Sequence, residues 1–297
     1  MGTGRRVLLL AVAVAALAGC GSSKAKSPPE LVFVSSRDGD YAIFGADAHG
    51  GQVRRLVEEK GDPSSATGLF FQIEPAWSPD GSQIAFASKR DGVTHIFVMQ
   101  ADGSGARRLT NGSKEDSRPS WSPDGTKILF AREGALFAVP AAGGKARRVG
   151  RGLGNAANPT WSPDGKLIAY DYRIPGFSIR EIWLMNADGS GTHRLTNLRN
   201  VSAVPAWSPD GKRIAFQSNA GVRTHYEIYT IGRDGAGPRR ETRTGIDTIE
   251  PAWSPAGKLS FSRDGSIWTI DAAGKEIRLT PASGNDSSPA WRPAVPR

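Results

Sequence analysis

Apolar residues in this chain come in short runs, and beyond residue 30 each run stops at a cluster of Gly, Asp or Pro. Ile84-Ala85-Phe86-Ala87 is followed by Ser88-Lys89-Arg90-Asp91-Gly92. Ile96-Phe97-Val98-Met99 is followed by Asp102-Gly103-Ser104-Gly105, and the more polar Ala106-Arg107-Arg108-Leu109-Thr110 comes next. Runs this short between turn formers predict strands, and no segment past residue 30 keeps the 3.6-residue period of an amphipathic helix. With Pro75-Ala76-Trp77 ahead of them, they make a unit of four strands, A to D.

The unit repeats. Pro75-Ala76-Trp77-Ser78-Pro79-Asp80-Gly81 returns at 119–125, 159–165 and 205–211, then as Pro251-Ala252-Trp253-Ser254-Pro255-Ala256-Gly257, and last as Pro289-Ala290-Trp291-Arg292-Pro293. The tryptophans are spaced by 44, 40, 46, 46 and 38 residues. Four antiparallel strands at this period predict β-propeller blades, with B and C apolar on both faces because blades stack on both sides. In Ser-Pro-Asp-Gly, proline presets the second turn position and glycine takes a positive φ at the fourth, which suits a type I hairpin turn with a glycine bulge. The repeated tryptophan is expected to pack between blades. The B–C–D units begin near Leu31, Ile84, Ile128, Ile168, Ile214 and Leu259. The first lacks a Pro-Ala-Trp before it and the last Pro-Ala-Trp lacks a unit after it. An all-β, six-bladed ring closed by the C-terminal strand is therefore expected over 31–297, with no large sheet edge left open.

Pro-Ala-Trp-Ser-Pro-Asp-Gly, followed by Ile-Ala-Phe and by Asn186-Ala187-Asp188-Gly189-Ser190-Gly191, resembles the repeats of TolB-type six-bladed propellers. The resemblance covers essentially all of 31–297 and is confined to the propeller; the separate N-terminal α/β domain of TolB is not expected here. It implies a cell-envelope setting and a peptidoglycan-associated lipoprotein among the partner classes.

The N-terminus follows another pattern. Arg5 and Arg6 precede the eleven apolar residues Val7 to Leu17, then Leu17-Ala18-Gly19-Cys20. The apolar stretch is too short for an ordinary membrane span and suits an export signal. Leu-Ala-Gly-Cys resembles a bacterial lipobox, and Cys20 is the only cysteine. This predicts a signal peptide over 1–19, lipidation of Cys20, and a polar tether over 20–30 that holds the propeller on the outer side of the cytoplasmic membrane or in the periplasm. The net charge of +9 favours anionic partners. Nucleic acid is not expected outside the cytoplasm, and a monomer is.

Alternating strand direction puts A–B and C–D turns at one end of the ring, here the turn face, and B–C and D–A connections at the other, the loop face. From each tryptophan to the start of strand B the distance is 7 residues, or 6 in the last case, whereas the B–C connections vary widely. Variable loops on a rigid scaffold point to binding at the loop face. There the residue before each proline should ring the channel mouth: Glu74, Arg118, Asn158, Val204, Glu250 and Ser288. Asp116, Asp247 and Asp286 lie close in sequence. Phe70 and Phe71 in the long first D–A connection, and Tyr172 and Arg173 in the 171–181 connection, are further binding candidates. The paired basic residues of strand D, such as Arg107-Arg108, are expected to protect the outer edge.

We find no His-Glu-x-x-His, Gly-x-Ser-x-Gly or phosphate-binding glycine loop, and the four histidines fall in different blades. No catalytic residue, metal site or cofactor is assigned. The sequence thus favours a lipid-anchored module that binds an envelope protein or peptide. A lyase or hydrolase of envelope polymers with a composite channel site, and a ligand-binding lipoprotein serving a transporter, are the alternatives.

Overall fold

The computed structural model describes residues 27–58, 73–90 and 92–294. The expected signal peptide, Cys20, Phe70 and Phe71 lie outside the described residues. Six four-stranded antiparallel sheets form the ring. Blade 1 holds β1 (Leu31–Ser35), β2 (Ala42–Ala46) and β3 (Arg54–Glu58). Blade 2 holds β4 (Ala76–Trp77), β5 (Gln83–Ser88), β6 (His95–Gln100) and β7 (Arg107–Arg108). Blade 3 holds β8 (Asp116–Trp121), β9 (Lys127–Arg132), β10 (Ala135–Pro140) and β11 (Arg147–Val149). Blade 4 holds β12 (Ala156–Trp161), β13 (Leu167–Arg173), β14 (Arg180–Asn186) and β15 (His193–Arg194). Blade 5 holds β16 (Ser202–Trp207), β17 (Arg213–Ser218), β18 (Glu227–Gly232) and β19 (Arg239–Arg240). Blade 6 holds β20 (Thr248–Trp253), β21 (Leu259–Arg263), β22 (Ser266–Ile270) and β23 (Glu276–Arg278). The last strand, β24 (Ser287–Trp291), returns to blade 1 and pairs Leu31 with Trp291 and Val32 with Ala290.

The core is divided among the gaps between blades. Each strand B carries one fully buried aromatic residue: Phe33, Phe86, Phe130, Tyr170, Phe216 and Phe261. Each pairs in register with an aromatic residue of strand C, as in Phe86 with Phe97 and Phe216 with Tyr229. Strands B and C read as continuous apolar runs because both faces are covered. Ala85, Ala87, Ile96 and Val98 of blade 2 pack against Trp121, Ile128, Phe130 and Val139 of blade 3.

The strand A tryptophans stitch neighbouring blades together. The Trp77 indole N–H donates to the Ala290 carbonyl, Trp121 to Ala76 and Trp253 to Ala206, each at 3.2 Å. The threonine that follows strand D adds a second recurring bond. Thr110, Thr196, Thr242 and Thr280 accept the amide of the first isoleucine of strand C through their hydroxyls. Residues 27–30, inside the segment expected to be a tether, lie against blade 1. Arg54 donates to the Ser27 carbonyl at 2.7 Å, the Glu30 amide donates to Ala46, and Pro29 is buried.

Candidate functional site

Every strand A is interrupted just before its proline. In blades 3 to 6 the pairing register shifts between Ser117 and Ser120, Ala157 and Thr160, Ala203 and Ala206, and Ile249 and Ala252. At the break the residue before proline takes positive φ in all six blades: Glu74 37°, Arg118 55°, Asn158 50°, Val204 55°, Glu250 55° and Ser288 50°. A residue before proline is ordinarily driven to extended backbone, and a non-glycine residue at positive φ costs about 1–3 kcal/mol. The bulge re-aims its side chain, as bulges near functional sites do. All six line a 350 Å³ cavity that runs along the channel toward the tryptophans. Glu74, Arg118, Val204, Glu250 and Ser288 also line a 600 Å³ funnel at the loop face. The pre-proline ring is thus a constriction between two chambers.

Charge at the constriction is set by three of these side chains. Arg118 Nε stands 2.5 Å from Glu74 Oε1, and its Nη2 is 3.6 Å from Glu250 Oε1. The Arg118 amide donates to Glu74 Oε2 at 2.6 Å, so one carboxylate holds both the backbone and the side chain of the next blade. Glu250 plays the same part for Ser288, accepting its amide at 2.7 Å and its hydroxyl at 3.0 Å. The Val204 amide donates to Asp171 and the Glu250 amide to Gln217, so the Asp171 and Gln217 side chains each secure the next blade. Burial pushes the Glu74 carboxyl above its ordinary value, against the pull of Arg118 and with the help of Glu250. Burial works against the Arg118 charge, but Glu74, Glu250 and Asp171 together outweigh it and hold the guanidinium above its ordinary value.

The other sequence candidates divide. Asp247 and Asp286 line the funnel, Asp286 in a two-pronged pair with Arg37 at 2.7 and 2.9 Å. Asp116 is not at the mouth. It is fully buried, its carboxylate binds Arg132 at 2.5 and 2.7 Å, and it lines neither chamber. Its other neighbour is buried His95, 3.6 Å away, whose imidazole burial holds below its ordinary value. The break between Ser117 and Ser120 explains the miss: strand alternation would put Asp116 and Arg118 on one side, and the bulge separates them. Tyr172 packs edge-on against Trp183 with ring centroids 5.5 Å apart, and is half-buried. Arg173 is exposed and lines a separate 650 Å³ groove between blades 3 and 4.

Glu181 and Glu227, at the start of strand C in blades 4 and 5, are fully buried carboxylates that the sequence reading passed over. Each accepts the hydroxyl of the threonine after strand D, Thr196 or Thr242. Burial opposes the Glu227 charge, but Thr242, Thr244 and Arg240 outweigh it and bring the carboxyl below its ordinary value. The readable signal was an acidic residue before the strand C isoleucine with a threonine 14 residues after that isoleucine. Among the described residues no three His, Cys, Asp or Glu side chains gather to hold a metal ion.

Ring and closure define a six-bladed β-propeller with a central channel that the pre-proline ring lines. The TolB β-propeller domain model matches residues 64–180 and 159–295, and the chain belongs to that family. It is 37% identical over 68 residues to the Tol-Pal system protein TolB of Syntrophus aciditrophicus (strain SB), and that stretch covers 23% of this chain and 13% of the relative. It is 60% identical over 35 residues to the TolB of Anaeromyxobacter dehalogenans (strain 2CP-C), covering 12% and 8%. The match thus spans a small part of these relatives. Among solved structures, TolB from Acinetobacter baumannii superposes with a TM-score of 0.76 at 20% identity, over 89% of this chain and 66% of that one. An oligogalacturonate lyase in complex with manganese superposes with a TM-score of 0.55 at 17% identity, over 85% and 73%. At these identities the structural likeness speaks for the fold.

Proposed function

We propose that this protein is a lipid-anchored cell-envelope propeller that binds a protein or peptide through its loop face, with the channel mouth as the point of attachment. The observation that carries this reading is the pre-proline ring. Six left-handed pre-proline positions place six side chains of five kinds at one constriction, and the funnel above it is open. Strain repeated where the side chains differ suits recognition better than packing. The TolB relatives, named for the Tol-Pal system, support a protein partner in the envelope. The anchor rests on Leu17-Ala18-Gly19-Cys20. Glu30 enters beside Ala46, where β2 runs out at the turn face. Seven residues from Cys20 to Ser27 reach at most about 25 Å. An anchored molecule therefore turns its turn face to the membrane and its funnel outward.

The test is chemical cross-linking of the full chain to envelope extracts. Glu74→Arg, Arg118→Glu and Glu250→Arg are combined, so that each pair re-forms with opposite sign. Capture of the partner is expected to be lost in a variant that keeps its β circular-dichroism spectrum but melts lower than the parent, because the Arg118 and Ser288 amides lose their carboxylate acceptors. Capture that survives in the folded variant overturns the reading.

A further inference from the structure

A second symmetry lies over the sixfold ring at the loop face. In blades 3 and 6 only two residues join strands B and C, Glu133-Gly134 and Asp264-Gly265. In the other four blades six to eight residues do. Both short turns have two successive positive φ values, 48° and 73° in blade 3 and 44° and 73° in blade 6, the geometry of tight type I′ hairpins. Each then receives the same bond from the next blade: the Ala156 amide donates to Gly134 at 2.9 Å, and the Asp286 amide to Gly265 at 3.0 Å. The segments that lead in also match, Gly154-Asn155 and Gly284-Asn285. Blades 3 and 6 are three apart in a ring of six, so the two low points of the rim face each other across the channel. Each opens a cavity, 650 Å³ between blades 3 and 4 and the 600 Å³ funnel over blades 6 and 1.

The two cavities differ in charge. The blade 3–4 groove is lined by Lys114, Arg132, Arg173 and Arg180, against Glu115 and Glu133. Asp116 and Asp171 sit behind it, fully buried, and hold the inner sides of Arg132 and Arg180. Their guanidinium planes are thereby fixed, which prepares the remaining N–H groups for a carboxylate. Lys114 pairs with Glu133 only at the exposed surface, a contact that a ligand displaces at little cost. The funnel reverses the balance: Glu74, Asp247, Glu250, Asp264 and Asp286 face Arg118 and Arg263, with Asp286 also held by Arg37 behind it. Arg263 is itself bound to Glu276 at 2.7 Å.

We propose that the loop face binds an extended peptide that lies across this diameter, its acidic run in the blade 3–4 groove and its basic run in the funnel, over the Glu74–Arg118–Glu250 constriction at the funnel floor. This rests on the reading of the loop face as a protein-binding surface, and adds the charge pattern of the partner. A narrow extended chain fits two low points flanked by longer loops, and about ten residues reach about 35 Å. Opposite charge at the two ends favours this partner and rejects chains of a single sign.

The experiment uses the full chain and labelled twelve-residue peptides, with binding read by fluorescence anisotropy at low and high salt. One peptide has four acidic residues at one end and four lysines at the other; a second scrambles the same composition. The block peptide is expected to bind at least ten-fold tighter than the scramble, with the difference shrinking in salt. Lys114→Glu with Arg173→Glu, or Asp247→Lys with Asp264→Lys, should each remove the preference. All four substitutions together should restore it, because the peptide turns end for end, and a misfolded variant would show no such rescue. Equal binding of block and scramble, or a preference unmoved by either pair, overturns the inference. If capture of the envelope partner is still lost in the constriction variant, the proposed function survives that outcome; if capture persists there, the proposed function itself fails.

Discussion

The two ends of the ring are made from the same strands and held by different chemistry. At the turn face the recurring bonds are local, and Arg233 to Asp164 and Arg292 to Gly81 are added across blades at single turns. The serine hydroxyl of each Ser-Pro-Asp-Gly turn donates to the aspartate two residues on, 2.6 Å in Ser78–Asp80 and Ser208–Asp210 and 2.5 Å in Ser122–Asp124. The same hydroxyl accepts the amide five residues on, at 2.9 Å in Gln83, Lys127 and Leu167. Bonds that a turn makes among its own residues do not depend on its neighbours, so they can be copied. At the constriction the bonds cross from blade to blade, Glu74 to Arg118 and Glu250 to Ser288. A contact of that kind depends on which residue the next blade supplies, so the six positions carry five kinds of residue. Repetition marks the scaffold, and the break in repetition marks the end proposed here for binding.

That contrast can be broken at several strengths. Trp121→Ala removes a buried indole and its bond to Ala76, and should cost about 3–5 kcal/mol in urea unfolding. Arg118→Met leaves Glu74 buried with its main partner gone, and should cost about 1–3 kcal/mol by the same measurement. Glu74→Gln should flatten a pH dependence. The folded carboxyl titrates above its ordinary 4.5, so the parent is favoured at low pH and loses that stability as pH rises through the raised value. Melting curves across that window should slope for the parent and not for the variant. The turn aspartates act with the opposite sign. The Asp124 carboxyl is brought down to about 2 by the Ser122 hydroxyl and the Thr126 amide and hydroxyl, and Asp80, Asp164 and Asp210 are lowered in the same way. Their stabilisation is present above the ordinary 3.8 and fades toward pH 2, and changing all four to Asn should blunt acid unfolding there. Arg173→Ala, on the exposed rim, should move stability by no more than about 0.5 kcal/mol.

Blade count, closure and the packing of the tryptophan were legible because each rests on a local signal repeated at a fixed period. The pre-proline ring was legible as a position. Its backbone was not, since proline ordinarily forbids the left-handed conformation its predecessor adopts here. Asp116 shows the consequence: two residues from Arg118, it lies on the far side of a bulge that strand alternation does not foresee. The buried Glu181 and Glu227 were missed because acids beside a strand read as surface, until a threonine from strand D is brought over them. The opposed grooves needed the ring itself, for only a closed circle sets blade 3 against blade 6.

The pairing of β24 with β1 also sets an order of events during synthesis. The five residues of β1 are among the first of the propeller to leave the ribosome, and the strand they need is among the last. Until then Leu31 to Ser35, wholly buried in the finished ring, present an apolar edge with no partner on that side. Blades 2 to 6 hold all four of their strands in one stretch of sequence, while blade 1 waits for β24. The molecule therefore carries an aggregation hazard until β24 docks, and is the kind of substrate for which a holding chaperone matters.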